Sequence, residues 1–167
     1  MKNATMRRLG GFTLIELLVV VLIIGILAGV AIPQYEVAVK KSRLSANISI
    51  VRTLADAEEA YYMANGAYTG LVTQLDVDMP TGCEFVTSAS DNGYVRTSKG
   101  VILDLLGAAG DTGAYVEARL PDGDTYILYR QYLQNSSNPS ERHCIGNAKV
   151  CKSMGGTLLR GSTYQLP

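Results

Sequence analysis

Tryptophan is absent from this 167-residue chain, phenylalanine occurs only twice, and the bulk aromatic is tyrosine, ten in all. Tyrosine suits half-buried surfaces, where the ring packs and the hydroxyl reaches water. Net charge is absent too: 15 basic and 15 acidic residues cancel. Three of the bases, Lys2, Arg7 and Arg8, sit in the first eleven residues, so the remainder has 12 basic and 15 acidic side chains, a formal −3. That balance argues against an overall basic nucleic-acid binder and leaves only a local basic patch as a route to DNA. No Gly-rich phosphate loop, zinc-type cysteine pair or serine elbow is visible. His143 adjoins Cys144, but no motif supplies a third group to orient a thiol nucleophile, so it reads as a loop histidine. Asp122-Gly123-Asp124 offers two carboxylates where calcium needs six to eight oxygen ligands, and it reads as a hairpin turn. Tyr61-Tyr62, Tyr126, Tyr129 and Tyr132 have the spacing of packing residues rather than of a base-stacking platform or an electron path. No catalytic residue, cofactor or metal site is expected.

What the chain does have is an uncharged run of sixteen residues, Leu17 to Ile32, preceded by one carboxylate, Glu16. As a helix, Phe12 to Ile32 would be roughly 31 Å long, enough to cross a bilayer core. A charge inside such a segment costs about 2.5–3.5 kcal/mol near the bilayer centre and less near its edge, so Glu16 needs a partner or a task. The basic residues ahead of the run belong on the cytoplasmic side, which places everything after Ile32 outside. A secretory signal peptide is the rival reading, with Ala28-Gly29-Val30-Ala31 as an imitation of its cleavage site. The run is long for that, opens with Glu16, and continues into a helical pattern.

The string Gly11-Phe12-Thr13-Leu14-Ile15-Glu16, followed by the apolar run, closely resembles the processing site of the type IV pilin family, which includes the pseudopilins of type II secretion. The resemblance implies cleavage between Gly11 and Phe12 by a membrane-bound prepilin peptidase, and N-methylation of Phe12. It also implies that Glu16 pairs with the N-terminal amine of a neighbouring subunit and sets its axial register. Gly25 and Pro33 match the family's helix breakers. A glycine there weakens the helix by about 1 kcal/mol and a proline by about 3 kcal/mol. The resemblance implies that the stretch between them loses helical structure in a filament, while the free subunit keeps a mild kink. The resemblance is strong over Gly10–Pro33, fair to Thr69 and only architectural beyond.

One very long helix is expected from Thr13 to Asn65, apolar on all sides at first and amphipathic later. Leu44, Ile48, Val51, Ala55 and Tyr62 form a stripe flanked by Ile50, Leu54, Ala57 and Tyr61. Gly66 is a plausible left-handed cap. A connector to Gly82 follows, with one helical turn at Leu71–Leu75. Candidate strands are Cys83–Thr87, Gly93–Thr97, Val101–Leu106, Ala114–Leu120 and Thr125–Leu133, separated by turn sequences that imply antiparallel neighbours. Tyr115, Glu117 and Arg119 alternate with Val116, Ala118 and Leu120. In the tail, Asn138 or Ser140 could cap a short helix, Ala148–Met154 form another, and Thr157–Pro167 add an edge strand. The fold class is α+β: three or four antiparallel strands on the amphipathic half-helix, which is also the pilin fold.

Cys83, Cys144 and Cys151 lie in the outward part, where disulfides form, and an odd number leaves at least one unpaired within the chain. Cys144–Cys151 closes a short loop, worth about 2.5 kcal/mol in the chain-entropy model, whereas Cys83 with either partner closes a long one, worth roughly 4.4 kcal/mol. Spacing does not choose among them. The family's habit of stapling the C-terminal region favours Cys144–Cys151, with Cys83 free or an alternative partner.

The expected organisation is a leader over 1–11, a transmembrane and filament-core segment over 12–33, and a head over 34–167. The head comprises a half-helix 34–65, a connector 66–82, and a sheet and C-terminal region 83–167. The expected function is that of a structural, non-enzymatic subunit of a type IV pilus-like filament. Its expected partners are other pilin subunits, prepilin peptidase, an inner-membrane assembly platform and a cytoplasmic ATPase. It would start as a single-pass inner-membrane precursor and end in a surface or periplasmic filament. The alternatives are a type II secretion pseudopilin, a minor or DNA-uptake pilin, or, in another class, a single-span anchored enzyme or receptor domain. Major pseudopilins carry a calcium loop and a Trp-containing motif in the head, and the missing tryptophan counts against that alternative.

Overall fold

The computed structural model describes residues 11–86, 93–106, 115–130 and 140–167. The chain divides into two units, Met1–Glu36 and Val37–Pro167. Helix α1, Leu14–Asn65, runs without a break through Gly25 and Pro33. In the first unit every large apolar side chain from Phe12 to Ile32 is exposed.

In the second unit α1 buries Leu44, Asn47, Val51, Leu54, Ala55 and Glu58. The three- and four-residue steps put these side chains on one face. Ile48 and Tyr62, placed on the stripe from sequence, are only half-buried, and the polar Asn47 and Glu58 take central positions instead. Asn47 does so by donating its side-chain amide to the Arg43 carbonyl, 2.7 Å away. α1 ends at Gly66, whose φ of 74° only glycine adopts cheaply and whose N–H donates to Tyr62 O at 2.7 Å.

A single 3-10 turn, Val72–Gln74, interrupts the connector. The strands are β1 (Glu84–Val86), β2 (Tyr94–Arg96), β3 (Ile102–Leu106), β4 (Tyr115–Arg119), β5 (Tyr126–Arg130) and β6 (Arg142–Ile145). Helix α2 (Ala148–Ser153) and strands β7 (Thr157–Arg160) and β8 (Thr163–Gln165) complete the head. All pairings are antiparallel, in the order β1-β2-β3-β4-β5-β6-β8-β7.

The sheet thus has eight strands, not the three or four expected. All five candidate strands join it as β1–β5, and three more, β6, β7 and β8, come from the C-terminal region. Arg142-His143-Cys144-Ile145 has no strand-like composition, yet it pairs with both β5 and β8. Ser140, a candidate helix cap, has φ 61° and leads into β6 rather than a helix. Asn138 lies outside the described residues. The expected single edge strand at the end is a hairpin, β7–β8.

The core lies between α1 and one sheet face. Val95, Leu103, Val116, Ala118, Ile127 and Cys144 meet Leu44, Val51 and Leu54 there. Alternation on β4 puts Val116 and Ala118 in this core. Glu117, on the opposite face, is nevertheless buried, and Arg119 forms an ion pair with it. Burial raises the Glu117 pKa despite Arg119. Cross-strand register sets Asp104 beside Glu117, and His143 beside Gln165, on this outer face.

Glu58 is 1% exposed and accepts the Thr69 N–H at 3.1 Å, tying the start of the connector to α1. Its Oε1 is buried with no hydrogen-bond partner. Burial pushes its pKa up to about 7, against the Thr69 hydrogen bond and with help from Glu59. A carboxyl whose folded pKa exceeds its unfolded value stabilises most below the unfolded pKa, and that stability is lost as pH rises through the folded one. The head is therefore expected to lose up to about 3 kcal/mol between pH 4.5 and 7.5 from this group. Glu58→Gln keeps an acceptor for Thr69 and should flatten that part of the pH–stability curve, as chemical denaturation across the range would reveal. An unchanged slope would contradict the assignment.

Candidate functional site: an exposed apolar helix with one carboxylate

Gly11 and Phe12 lie immediately before α1, and Phe12 is 91% exposed. Among the described residues, a Cβ added at Gly11 would meet no heavy atom within 4 Å. Thr13 and Glu16 then cap the helix reciprocally. The Thr13 N–H and hydroxyl both donate to Glu16 Oε2 at 2.8 Å, and the Glu16 N–H donates to Thr13 Oγ1 at 3.3 Å. This is the capping box, in which a hydroxyl residue and a glutamate three positions on satisfy each other's helix-end donors. The pattern Thr-x-x-Glu is present in the sequence, where Glu16 reads as a charge in an apolar segment and, by the family resemblance, as the residue that sets register. Within the subunit it already has a local task, which holds it at the helix start.

Behind Glu16 the apolar surface is bare: α1 contains the one stretch among the described residues long and apolar enough to cross a membrane, and none of that stretch is buried. Neither Gly25 nor Gly29 has a neighbour within 4 Å of an added Cβ, so close packing inside this subunit does not demand a glycine at either position.

Residues 6–32 match the prokaryotic N-terminal methylation motif. The type II secretion system core protein G of Aeromonas hydrophila is 34% identical over 92 residues, covering 54% of this chain and 64% of that protein. The type IV major fimbrial protein FimA of Dichelobacter nodosus is 35% identical over 100 residues, 56% of this chain and 64% of that protein. The fimbrial protein EcpC of Eikenella corrodens is 30% identical over 116 residues, 60% of this chain and 76% of that protein. The chain belongs to the type IV pilin and pseudopilin family. It spans just under two thirds of the Aeromonas and Dichelobacter proteins. No solved structure matches it.

In this pilin-family chain the other candidate residues lie in the head. Cys144 on β6 is joined to Cys151 on α2, with Cα atoms 5.5 Å apart, and Cys83 is unpaired and half-buried. The bond links two elements that the short α2 would hold weakly by itself. α2 is further fixed by Asn147, whose side chain accepts from the Lys149 and Val150 N–H groups, and by Lys41 Nζ, which donates to Ser153 O at 2.6 Å. His143 lies on a strand, not a loop. It is nearly buried, with Nε2 3.0 Å from Glu141 Oε2, and the Gln165 amide reaches Glu141's other oxygen at 3.3 Å. Asp122 bonds Lys40 Nζ at 2.5 Å and accepts the Asp124 N–H at 3.3 Å, as in a hairpin turn. Among the described residues no group of three or more His, Cys, Asp or Glu side chains could hold a metal ion. Tyr62 stacks on Tyr68 with ring centroids 4.6 Å apart, and Tyr61 donates to Gln74. Tyr126 packs under the Arg119 guanidinium, and Tyr129 packs against the core. Tyr132 lies outside the described residues.

Thr13→Val keeps the size of residue 13 but removes the hydroxyl bonds to Glu16. It should cost the helix start about 1 kcal/mol. In detergent micelles, amide exchange at Ile15 and Glu16 should quicken several-fold while Ile23 and Ile24 are unaffected. Equal protection in both proteins would contradict the capping role.

Proposed function

We propose that this chain is a structural subunit of a type IV pilus-like filament. The observation that carries this reading is the wholly exposed apolar half of α1, opening with Gly11-Phe12 and a single capped carboxylate. Residues 1–11 serve as a leader, 12–33 as the membrane and filament-core segment, and 34–167 as the head. Prepilin peptidase cuts between Gly11 and Phe12, and Phe12 becomes the methylated N-terminal residue. The precursor spans the inner membrane once, with its leader in the cytoplasm. Other copies then cover the apolar surface in a filament at the cell surface or in the periplasm.

Glu16 is the residue that sets register. A neighbour's N-terminal amine about 4 Å from its carboxylate gains roughly 4 kcal/mol at an effective dielectric near 20. The Thr13 bonds both fall on Oε2, which leaves the second oxygen for that donor. Gly25 and Pro33 are where the helix gives way on assembly, since neither position offers the backbone full helical support. Lipid solvates the apolar side chains as well as neighbouring helices do, so extraction from the membrane needs external work. A cytoplasmic ATPase acting through an inner-membrane platform supplies it, because the chain has no nucleotide-binding motif of its own.

A second reading within the family is a type II secretion pseudopilin, favoured by the similarity to core protein G. It shares the N-terminal mechanism and differs in filament length and place. Glu16→Ala tests what both readings share. Cleavage should persist, and filament number should fall at least about ten-fold if the amine pairing contributes 1.4 kcal/mol or more. Filaments of normal number and length from that variant would sink the register role.

A further inference from the structure

We propose that the heads of neighbouring copies join edge to edge, with β7 of one pairing with β1 of the next to continue the sheet. This rests on the filament reading, and its partner is a second copy of this chain. Among the described residues β1 pairs only with β2, and β7 only with β8. Both therefore present unpaired backbone groups. Edges of this kind are normally blunted, because they invite another strand. Here they are apolar instead. All four residues of β7 are exposed, with Leu158 at 59% and Leu159 at 51%, and Phe85 on β1 is 51% exposed.

Three features make the two edges fit each other. The first is strand direction. Eight strands, each antiparallel to its neighbour, leave β1 and β7 running in opposite directions. Copies in the same orientation, as a filament requires, bring β7 and the next β1 together antiparallel. The second is the sheet face. Phe85 opposes buried Val95, and Leu158 opposes buried Tyr164, so both lie on the core side. Glu84 opposes Arg96, and Arg160 opposes Thr163, so both lie on the other side. The third is charge and shape. In the antiparallel register that sets Glu84 against Arg160, Phe85 meets the Leu158–Leu159 step, where β7 is bulged. An apolar recess lined by Leu71, Val72, Phe85, Tyr94 and Val95 adjoins this edge. The contact uses different surfaces on the two copies, so it is heterologous and repeats without closing, as a helical assembly needs.

The test uses the full chain in cells that assemble it. Glu84→Cys with Arg160→Cys, in a Cys83→Ser background, should give a ladder of disulfide-linked multimers on a non-reducing gel. Residues directly opposite in an antiparallel pair have Cβ atoms about 4.5–5.5 Å apart, close to disulfide reach. Either new cysteine alone should give no ladder. Filaments without a ladder would overturn the contact and leave the filament reading standing. No filaments from the unmodified chain would overturn both. Charge exchange avoids new cysteines: Arg160→Glu should cut filament yield about ten-fold by setting like charges together, and adding Glu84→Arg should restore it. A double variant no better than the single would also overturn the pairing.

Discussion

About fourteen consecutive turns of helix would be ordinary if their apolar side chains faced a protein core; the 52-residue α1 divides its burial unevenly. From Leu44 onward its apolar face is covered by the sheet, whereas from Phe12 to Ile32 none of the described residues covers it. At roughly 1.5–3 kcal/mol for each large apolar side chain kept from water, that bare surface amounts to tens of kcal/mol. Water cannot be its resting environment. Lipid and the same segment of other copies are the two that suit it, and they suit it about equally, so the apolar surface alone sets neither register nor direction. Those must come from the polar exceptions, and the segment has one charged exception, Glu16.

The head meets the opposite requirement, since it must hold together whether or not α1 has neighbours. Its buried polar groups do part of that work. Glu58 and Asn47 sit within the apolar stripe, and Glu58 ties the connector to the helix. The Cys144–Cys151 bond and Asn147 hold α2 against β6. Gly146, with φ 111°, passes so close to the Asp124 carbonyl that no Cβ fits, which lets the β4–β5 turn and the β6–α2 corner pack together. What the head leaves open is its two sheet edges, one ending in Phe85 and the other in Leu158 and Leu159.

Local signals were legible in the sequence, and non-local ones were not. The apolar run, the stripe through Leu44, Val51 and Ala55, and Asn65-Gly66 located α1 to within a residue at either end, because a 3.6-residue period and a left-handed glycine are local facts. β4 was equally clear from its alternation. β6 was missed because Arg142 and His143 look solvated; their strand depends on partners in β5 and β8 and on a disulfide. Burial of Glu58 and Glu117 was likewise invisible, since it depends on Thr69 in one case and Arg119 in the other. At the N-terminus the Thr13–Glu16 capping box is also local, a Thr-x-x-Glu pattern at the head of the apolar run. The Gly11-Phe12 motif is likewise local, whereas finding β1 and β7 at the two edges of the sheet required the strand order.

The most direct test of the proposed processing and assembly is the mass of the intact N-terminus, from cells with and without prepilin peptidase. A chain beginning at methylated Phe12, found only when the enzyme is present, is the predicted result. A chain still beginning at Met1, or one cut after Ala31, would contradict it and would make the apolar helix a plain anchor or a signal segment.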